Sequence, residues 1–205
     1  MTNKKFLLSS LCAIVISCSD DIGWNNKELI SYRDLAFDGE LYGTGQNGFS
    51  EIFSTYTGVN ASNDISEKEI LENQHLMHGS GVTLGDVNGD RLIDIYIPRI
   101  KEDNVLYINK GEWQFEDFTL AAGVAAPNRY SNGSVFADVD GDRDLDLIVT
   151  ALGGPNSVFI NDGNGIFVEK KLDSKLNNPG STSSALADVD NDGDLDLYIT
   201  NYKQI

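Results

Sequence analysis

The sequence is poor in cysteine, proline, histidine and positive charge, and these shortages exclude several classes of protein. Both cysteines, Cys12 and Cys18, lie in the first 18 residues, so the remaining chain has no disulfide framework. The 15 basic residues are outnumbered by 32 acidic ones, giving a formal net charge of −17. That charge disfavours nucleic acid and anionic membrane surfaces as partners and favours divalent cations. With 40% hydrophobic residues and 4 prolines, the chain suits a packed, β-rich globular protein.

The first seventeen residues have the pattern of a signal peptide. Lys4 and Lys5 precede an apolar run over residues 6–16, which is too short for a membrane-spanning helix of about 20 residues. The run ends in Val15-Ile16-Ser17-Cys18, which resembles the bacterial lipobox. That resemblance implies cleavage before Cys18 and lipidation of its thiol, giving a signal peptide over residues 1–17. Ordinary secretory cleavage with an incidental cysteine is the alternative.

Residues 18–50 are polar and glycine-rich, and we interpret them as a lipidated tether. Ser19-Asp20-Asp21 is similar to the acidic export tag of surface lipoproteins in the Bacteroidetes. These features predict an exported bacterial lipoprotein of the outer membrane or cell surface. Contact with the membrane would then occur only through the lipid anchor.

An aspartate-rich nine-residue loop occurs three times in the rest of the chain. The copies begin at Asp86, Asp138 and Asp188, at spacings of 52 and 50 residues. Flanking sequence repeats as well, because residues 104–109 recur as residues 156–161. The repeating unit is therefore a whole module of about 50 residues. Phe115 recurs as Phe167 at the same spacing of 52 residues, and Phe53 and Gly58-Val59 partly match Phe115 and Gly123-Val124 as an upstream echo without a loop.

Each module contains the pattern of four short strands. Alternating apolar residues leave each loop, a second strand precedes the turn at Asn109 or Asn161, and a third lies near Phe115 or Phe167. A fourth, over residues 81–85 or 134–137, runs into the next loop. Residues 51–205 are therefore predicted to be all-β, with about three to four antiparallel β-propeller blades. Because closed propellers have about four to eight blades, we expect an incomplete propeller from a longer protein. Ser66 and Glu69 form a capping box, which predicts a short helix over residues 66–74.

The loops at residues 86–94, 138–146 and 188–196 have the oxygen ligands that calcium prefers. Calcium takes six to eight oxygens at about 2.3–2.6 Å, so several carboxylates on a tightly curled backbone suit it. Side chains at loop positions one, three, five and nine are the predicted ligands, and position seven is expected to contribute its backbone carbonyl. The complete set is Asp86, Asn88, Asp90, Leu92 and Asp94; Asp138, Asp140, Asp142, Asp144 and Asp146; and Asp188, Asp190, Asp192, Asp194 and Asp196.

Three other interpretations of these loops are less consistent with the sequence. Acidic turns use Asp and Asn for local backbone hydrogen bonds without any metal, but three copies at a fixed period favour calcium, at about three sites. EF-hand and dockerin loops need a ligand at position twelve followed by a helix, whereas position twelve here is Ile97, Val149 or Ile199. Thrombospondin type 3 repeats carry disulfide cysteines that this chain lacks.

Residues 135–147 and 156–163, with their counterparts, resemble FG-GAP or VCBS repeats, the calcium-loop blades of integrin α-subunit propellers. Within this family, the chain is similar to bacterial ASPIC/UnbV-type and cartilage acidic protein-like chains. Such repeats prefer glycine at loop position six, where Gly193 conforms and Arg91 and Arg143 depart. If that position is left-handed, each Arg costs on the order of 1 kcal/mol. The first site is then expected to be the weakest and the third the strongest.

The resemblance implies a non-enzymatic, calcium-binding adhesion module with a protein or polysaccharide partner and no nucleic acid. The alternative is an accessory or catalytic part of a polysaccharide-degrading enzyme, since similar propellers occur in some lyases and phospholipases. No nucleophile, base and orienting group occur together in the sequence, and His75 and His78 have no third metal ligand in register. Trp24 and Trp113 are candidates for stacking on sugars, although packing is the commoner role of a lone tryptophan.

Overall fold

Three antiparallel sheets of four, four and two strands form the fold, which is an open arrangement of propeller-like blades. The computed structural model describes residues 52–172 and 180–202. The first sheet comprises β1 (Thr83–Gly85), β2 (Asp94–Ile97), β3 (Val105–Asn109) and β4 (Phe115–Asp117). The second comprises β5 (Ser131–Ala137), β6 (Asp146–Ala151), β7 (Ser157–Asn161) and β8 (Phe167–Lys170), and the third comprises β9 (Ser181–Ala187) and β10 (Asp196–Asn201).

The predicted signal peptide, the tether and Cys18 lie outside the described residues. Helices within those residues are short: α1 (Ser54–Thr57), α2 (Glu67–Glu72), a 3-10 helix (Gln74–His78) and α3 (Thr119–Ala122). None of the described helices has the length and apolar character needed to cross a membrane.

Within each four-stranded sheet, neighbouring strands are consecutive in the chain, and this corrects the predicted blade boundaries. β1 pairs with β2, and β5 pairs with β6, so the strand before each aspartate-rich loop belongs to the same sheet as the strand after it. The sequence interpretation placed that strand last in its module, because its pattern only shows that it leads into the loop. Each loop therefore connects the first two strands of a blade. The third loop likewise connects β9 with β10.

A continuous core fills the space between the first and second sheets. Tyr96 is completely buried, and its ring meets that of Phe136 edge to face at a centroid distance of 6.4 Å. Full burial of one large apolar side chain contributes roughly 1.5–3 kcal/mol relative to leaving it exposed. Burial of this cluster therefore holds the first and second sheets together. The buried members of this cluster are Val87, Tyr96, Leu106, Ile108, Ala122, Val124, Ala126, Leu147, Val149, Phe159 and Phe167.

Gly85 permits the closest approach of the two sheets. A Cβ atom at this position would lie 2.8 Å from Leu145 Cδ1 and 2.9 Å from Phe136 Cδ2, closer than van der Waals contact allows. The end of β1 therefore has no room for a side chain. In turn, β9 of the third sheet packs against β5 and β6, so the blades stack in chain order.

Helices α1 and α3 are equivalent elements of successive repeats. Each ends on a left-handed glycine, with φ 81° at Gly58 and 78° at Gly123. Phe53 and Phe118 occupy the N-cap positions. The upstream repeat proposed from sequence is therefore confirmed in its local geometry, but Phe53 corresponds to Phe118 and not to Phe115. The single-sequence alignment had placed the match three residues too early.

The capping box predicted ahead of α2 is present. The Ser66 side chain accepts a hydrogen bond from the Glu69 amide, and the Glu69 carboxylate accepts one from the Ser66 amide at 2.9 Å. Lys101 pairs with the same carboxylate at 2.9 Å. Hydrogen bonds from Ser66, followed by that from Lys101, lower the pKa of Glu69 to about 2. The inserted helix is thus fastened to the loop that connects β2 with β3.

Candidate metal centres

The carboxylate at loop position one curls the backbone of each loop. Asp86 Oδ1 accepts a hydrogen bond from the Gly89 amide at 2.8 Å, and Asp86 Oδ2 accepts one from the Arg91 amide at 2.8 Å. Asp138 and Asp188 accept amide hydrogen bonds from their own loops at 2.7–3.2 Å. These bonds draw the amide groups inward around the first aspartate. The acidic-turn interpretation is correct for this backbone, and it is compatible with a metal because each carboxylate oxygen has more than one lone pair.

Loop position six has a left-handed backbone in every copy. The φ angles are 69° at Arg91, 79° at Arg143 and 97° at Gly193. The expectation drawn from the glycine preference of the family is therefore confirmed. Two arginines adopt a conformation that costs an L-residue roughly 1–2 kcal/mol, while glycine adopts it freely.

The carboxylate at position nine joins each loop to the body of its blade. Asp94 Oδ2 accepts from the Val87 amide at 3.0 Å, and Asp94 Oδ1 accepts from the Asn109 amide at 2.8 Å. Asp146 is held by the same two bonds at 2.8 and 2.9 Å, and both carboxylates are completely buried. Asp196 accepts from the amide at position two of its loop at 3.0 Å and is exposed. Its loop has no third strand beside it among the described residues.

In the second and third loops, the carboxylates at positions one, three and nine converge. One oxygen from each lies within 4.8 Å of the others. Two oxygens bound to one calcium ion are at most about 5.2 Å apart, twice the calcium–oxygen distance. Spacing and donor type therefore both fit a hard divalent cation. The two groups are Asp138, Asp140 and Asp146, and Asp188, Asp190 and Asp196.

The first loop has one carboxylate fewer, because Asn88 occupies position three. The Asn88 side-chain nitrogen donates to Asp90 Oδ2 at 3.0 Å, and Asn88 Oδ1 accepts from the Asp90 amide at 3.1 Å. An amide oxygen is a weaker calcium ligand than a carboxylate because it carries no net charge. Local chemistry thus favours the second and third loops over the first.

Side chains at position five take part in short local turns. Asp90, Asp142 and Asp192 each accept from the amide two residues later, at 2.8–3.1 Å. They are not members of the converging groups, so their coordination of a metal remains a prediction. The carbonyl groups of Leu92, Asp144 and Asp194 remain predicted ligands in the same sense.

Desolvation and crowding of like charges raise carboxyl pKa values in the second loop. Desolvation, followed by repulsion from Asp142, raises the pKa of both Asp140 and Asp144 above the ordinary value. In the first loop, desolvation raises the pKa of Asp94, and its two amide partners oppose that shift. A bound cation would relieve the repulsion and favour the ionised carboxylates.

Sequence reasoning missed the amide donors that orient these carboxylates. The donors are the residue at loop position two and the asparagine that ends the third strand, Asn109 or Asn161. Their 52-residue recurrence is visible in the sequence, but turn formation alone explains it there.

Trp113 lies in the β3–β4 turn with a left-handed φ of 62°, and it is 37% exposed. Trp24 and the side chains of His75 and His78 lie outside the described residues.

Comparison with known proteins gives relatives for part of the chain. It is similar to cartilage acidic protein 1 of Homo sapiens and of Mus musculus, with 28% identity to each over 82 residues, or 40% of this chain. The Xenopus tropicalis protein of the same name is 27% identical over the same length. The aligned segment spans 12% of the human protein and 13% of the other two, so the chain covers only a small part of these relatives.

The profile of FG-GAP-like repeats matches residues 86–149 and 138–199. Each match begins at position one of a loop, and together the two matches span more than half of the chain. They include all three loops and both complete connections between them. This chain belongs to the family of FG-GAP-like repeat proteins.

Proposed function

We propose that this chain is a calcium-stabilised, non-catalytic binding module of an exported bacterial lipoprotein, with a protein or polysaccharide partner. The convergence of three carboxylates in the second and third loops carries the proposal. It is supported by membership of a repeat family typical of extracellular binding and adhesion modules. The net charge of −17 and the lack of disulfides in the mature chain agree with structural cations.

Calcium would act on the fold and not on a reaction. The residues that would hold it are the aspartates at positions one and three, which lie in the loop, and at position nine, which begins the strand after it. Binding neutralises their mutual repulsion and fixes the hairpin. At ten times the dissociation constant, each occupied site would add about 1.4 kcal/mol to the free energy of unfolding.

Thermal unfolding with and without calcium tests this role. We expect excess EGTA to lower the melting temperature and added calcium to restore it. Replacing Asp138 and Asp140 with asparagine should remove most of the contribution of the second site. Glu67→Gln with Glu72→Gln, on the exposed faces of α2, is the matched control because it removes two charges far from the loops. Identical melting curves in EGTA and calcium would refute the metal assignment.

The opposite end of the blades offers a surface for a partner. Connections in an antiparallel sheet alternate between its two ends, so the β2–β3 and β6–β7 connections lie away from the aspartate-rich loops. Two cavities of about 230 and 210 Å³ lie there, and both are lined by Glu69 and Tyr130. Asn73 and Leu152 line the larger cavity and Asn128 the smaller one. An exposed ring beside carboxylate and amide groups suits a polysaccharide or a polar peptide segment.

Protein and glycan arrays test the binding role. Binding should require calcium, since the cation orders the blades that present this surface, and Tyr130→Ala should weaken it. Tyr198→Ala changes a tyrosine of β10 that is 77% exposed and lines neither cavity, and it serves as the control. Cleavage of a polysaccharide retained on the array would instead support the enzymatic alternative.

Export as a lipoprotein is tested separately, by mass spectrometry of the mature N-terminus. A lipid-modified Cys18 as first residue is the expected result. Cleavage at another bond without a lipid would overturn the lipoprotein assignment and leave the calcium assignment intact.

A further inference from the structure

Asn161, the last residue of β7, is hydrogen-bonded to the aspartate-rich loops of two different blades. Its side-chain nitrogen donates to the Val87 carbonyl of the first loop at 2.8 Å and to the Leu145 carbonyl of the second loop at 3.0 Å. Its backbone amide donates to Asp146 Oδ1, at position nine of the second loop, at 2.9 Å. One buried residue therefore bridges two candidate metal sites.

The orientation of the Asn161 amide is fixed by its partners. Its oxygen accepts from the amides of Gly163 and Gly165 at 3.2 and 3.1 Å, whereas its nitrogen faces two carbonyl oxygens. A flipped amide would place oxygen against oxygen and nitrogen against N–H. The side chain is 4% exposed, so water cannot easily replace these bonds.

Val87 connects this bridge to the ligands of the first loop. It lies between Asp86 and Asn88, and its amide donates to Asp94 Oδ2 at 3.0 Å. Its side chain is 1% exposed and packs in the core between the two sheets. Ordering of the first loop therefore fixes the carbonyl that Asn161 needs as an acceptor. The Asn161 side chain also donates to the carbonyl of Leu145 and so fixes its position. Leu145 directly precedes the position-nine aspartate of the second loop.

We propose that Asn161 couples the first two calcium loops, so that a cation at one raises the affinity of the other. This inference rests on the proposed calcium function. Coupling of this kind is reciprocal, because each cation favours the same ordered arrangement. Its size should be that of one buried neutral hydrogen bond, about a twofold to tenfold change in affinity.

Asn109 provides a matched control at the same position of the first blade. Its amide donates to Asp94 Oδ1 at 2.8 Å, its side-chain nitrogen to the Ile93 carbonyl at 3.0 Å, and its side-chain oxygen accepts from Gly111 at 2.9 Å. These bonds repeat those of Asn161 within its own blade. Among residues 52–172 and 180–202, the Asn109 side chain has no bond to another blade. Asn109 therefore lacks the bridge to a second blade, and it also accepts one amide bond fewer and is less buried than Asn161.

Calcium titration calorimetry measures the coupling. Asp188→Asn with Asp192→Asn disables the third loop and leaves a chain with two sites. In that background, Asp86→Asn with Asp90→Asn disables the first loop, and Asp138→Asn with Asp142→Asn disables the second. Each of these variants gives the association constant of the one site that remains. The product of the two stepwise constants divided by the product of the isolated constants is the coupling factor. We expect a factor of about two to ten in the parent chain.

Asn161→Asp keeps the size of the side chain but places an oxygen against the two carbonyls, and it should reduce the coupling factor to one. Asn109→Asp should leave the factor unchanged. A factor of one in the parent chain, or the same factor in Asn161→Asp, would overturn the proposal. Asn161→Ser, which removes the bridge without adding charge, replaces Asn161→Asp if the latter does not fold.

Hydrogen exchange in EGTA separates this inference from the calcium assignment. Asn161→Asp should speed exchange at amides of both the first and second loops, whereas Asn109→Asp should speed it only in the first. If calorimetry shows no binding but this exchange pattern is found, the bridge is real and the calcium function is wrong. If Asn161→Asp leaves exchange in the first loop unchanged, the bridge itself is refuted.

Discussion

Replacing Arg143 with glycine is expected to stabilise the second loop even without calcium. Arg143 has a φ of 79°, a conformation that costs an L-residue roughly 1–2 kcal/mol. Glycine removes that strain, but folding then costs about 0.5–1 kcal/mol more because the unfolded chain has more conformational freedom to lose. The net gain in the free energy of unfolding should be about 0.5–1 kcal/mol. The hydrogen bond from the residue-143 amide to Asp138 Oδ2, 3.0 Å long, is retained because it involves only the backbone of residue 143.

Strain and charge at this position are separable with two further variants. Arg143→Asn removes the charge and places there a residue that tolerates the left-handed region, whereas Arg143→Lys keeps both charge and strain. Urea unfolding in EGTA reports the strain, and calcium titration at low and high salt reports the charge. Glycine and asparagine should both strengthen calcium binding at low salt, with a smaller gain at high salt. Lysine should change neither measurement appreciably.

The third loop supplies the reverse experiment. Gly193 has a φ of 97°, and Gly193→Arg should lower the free energy of unfolding by an amount similar to the gain from Arg143→Gly. No stabilisation in Arg143→Gly together with no loss in Gly193→Arg would refute the assignment of strain to position six. Stabilisation by Arg143→Lys as well as by Arg143→Gly would refute it too, because lysine has the same backbone preference as arginine.

Two predictions concern the fold outside the loops. The buried Tyr96 hydroxyl joins two polar groups, so Tyr96→Phe should lower the free energy of unfolding by about 2–4 kcal/mol in urea titrations. Tyr107→Phe should cost less, because Asn60, the partner of the Tyr107 hydroxyl, is exposed to water. The carboxyl of Glu69 should titrate near pH 2 by NMR, and Ser66→Ala should raise its pKa more than Lys101→Gln does. Since the pKa of Glu69 is lowered by folding, its stabilising effect is present above the ordinary value of 4.5 and lost as pH falls toward 2, a dependence that Glu69→Gln should abolish.

The parts of the structure that depend on local chemistry were predictable from the sequence. The left-handed backbone at Arg91 and Arg143 followed from the glycine that the family prefers at position six and that Gly193 supplies in the third loop. The cap of α2 followed from Ser66 and Glu69, which are three residues apart. Strand positions followed from alternating apolar residues after each loop. In each case, the residues that form the sequence pattern lie close together in the chain and also form the local structure that the pattern predicts.

Features that depend on pairing between strands were not predictable in the same way. Strand β1, Thr83–Gly85, pairs with β2, the strand after the first aspartate-rich loop, and nothing in the three residues of β1 specifies that partner. The bond from Asn161 to Val87 joins residues 74 positions apart, and no local pattern specifies it. Asparagine before a glycine-containing turn is common enough to be explained by the turn alone. Only the packing of one blade on the next gives this asparagine its second partner.

The third loop illustrates how local chemistry and packing compete. Its sequence is the most suitable of the three, with glycine at position six and aspartate at positions one, three, five and nine. Yet the valine at its second position is 72% exposed, whereas Val87 of the first loop is 1% exposed. Asp196 is likewise exposed, whereas Asp94 and Asp146 are buried and held by two amides each. Within residues 52–172 and 180–202, the first loop is preorganised but chemically weaker, and the third loop is chemically stronger but has no third strand to support it. The order of calcium affinities in this chain therefore measures which effect is larger.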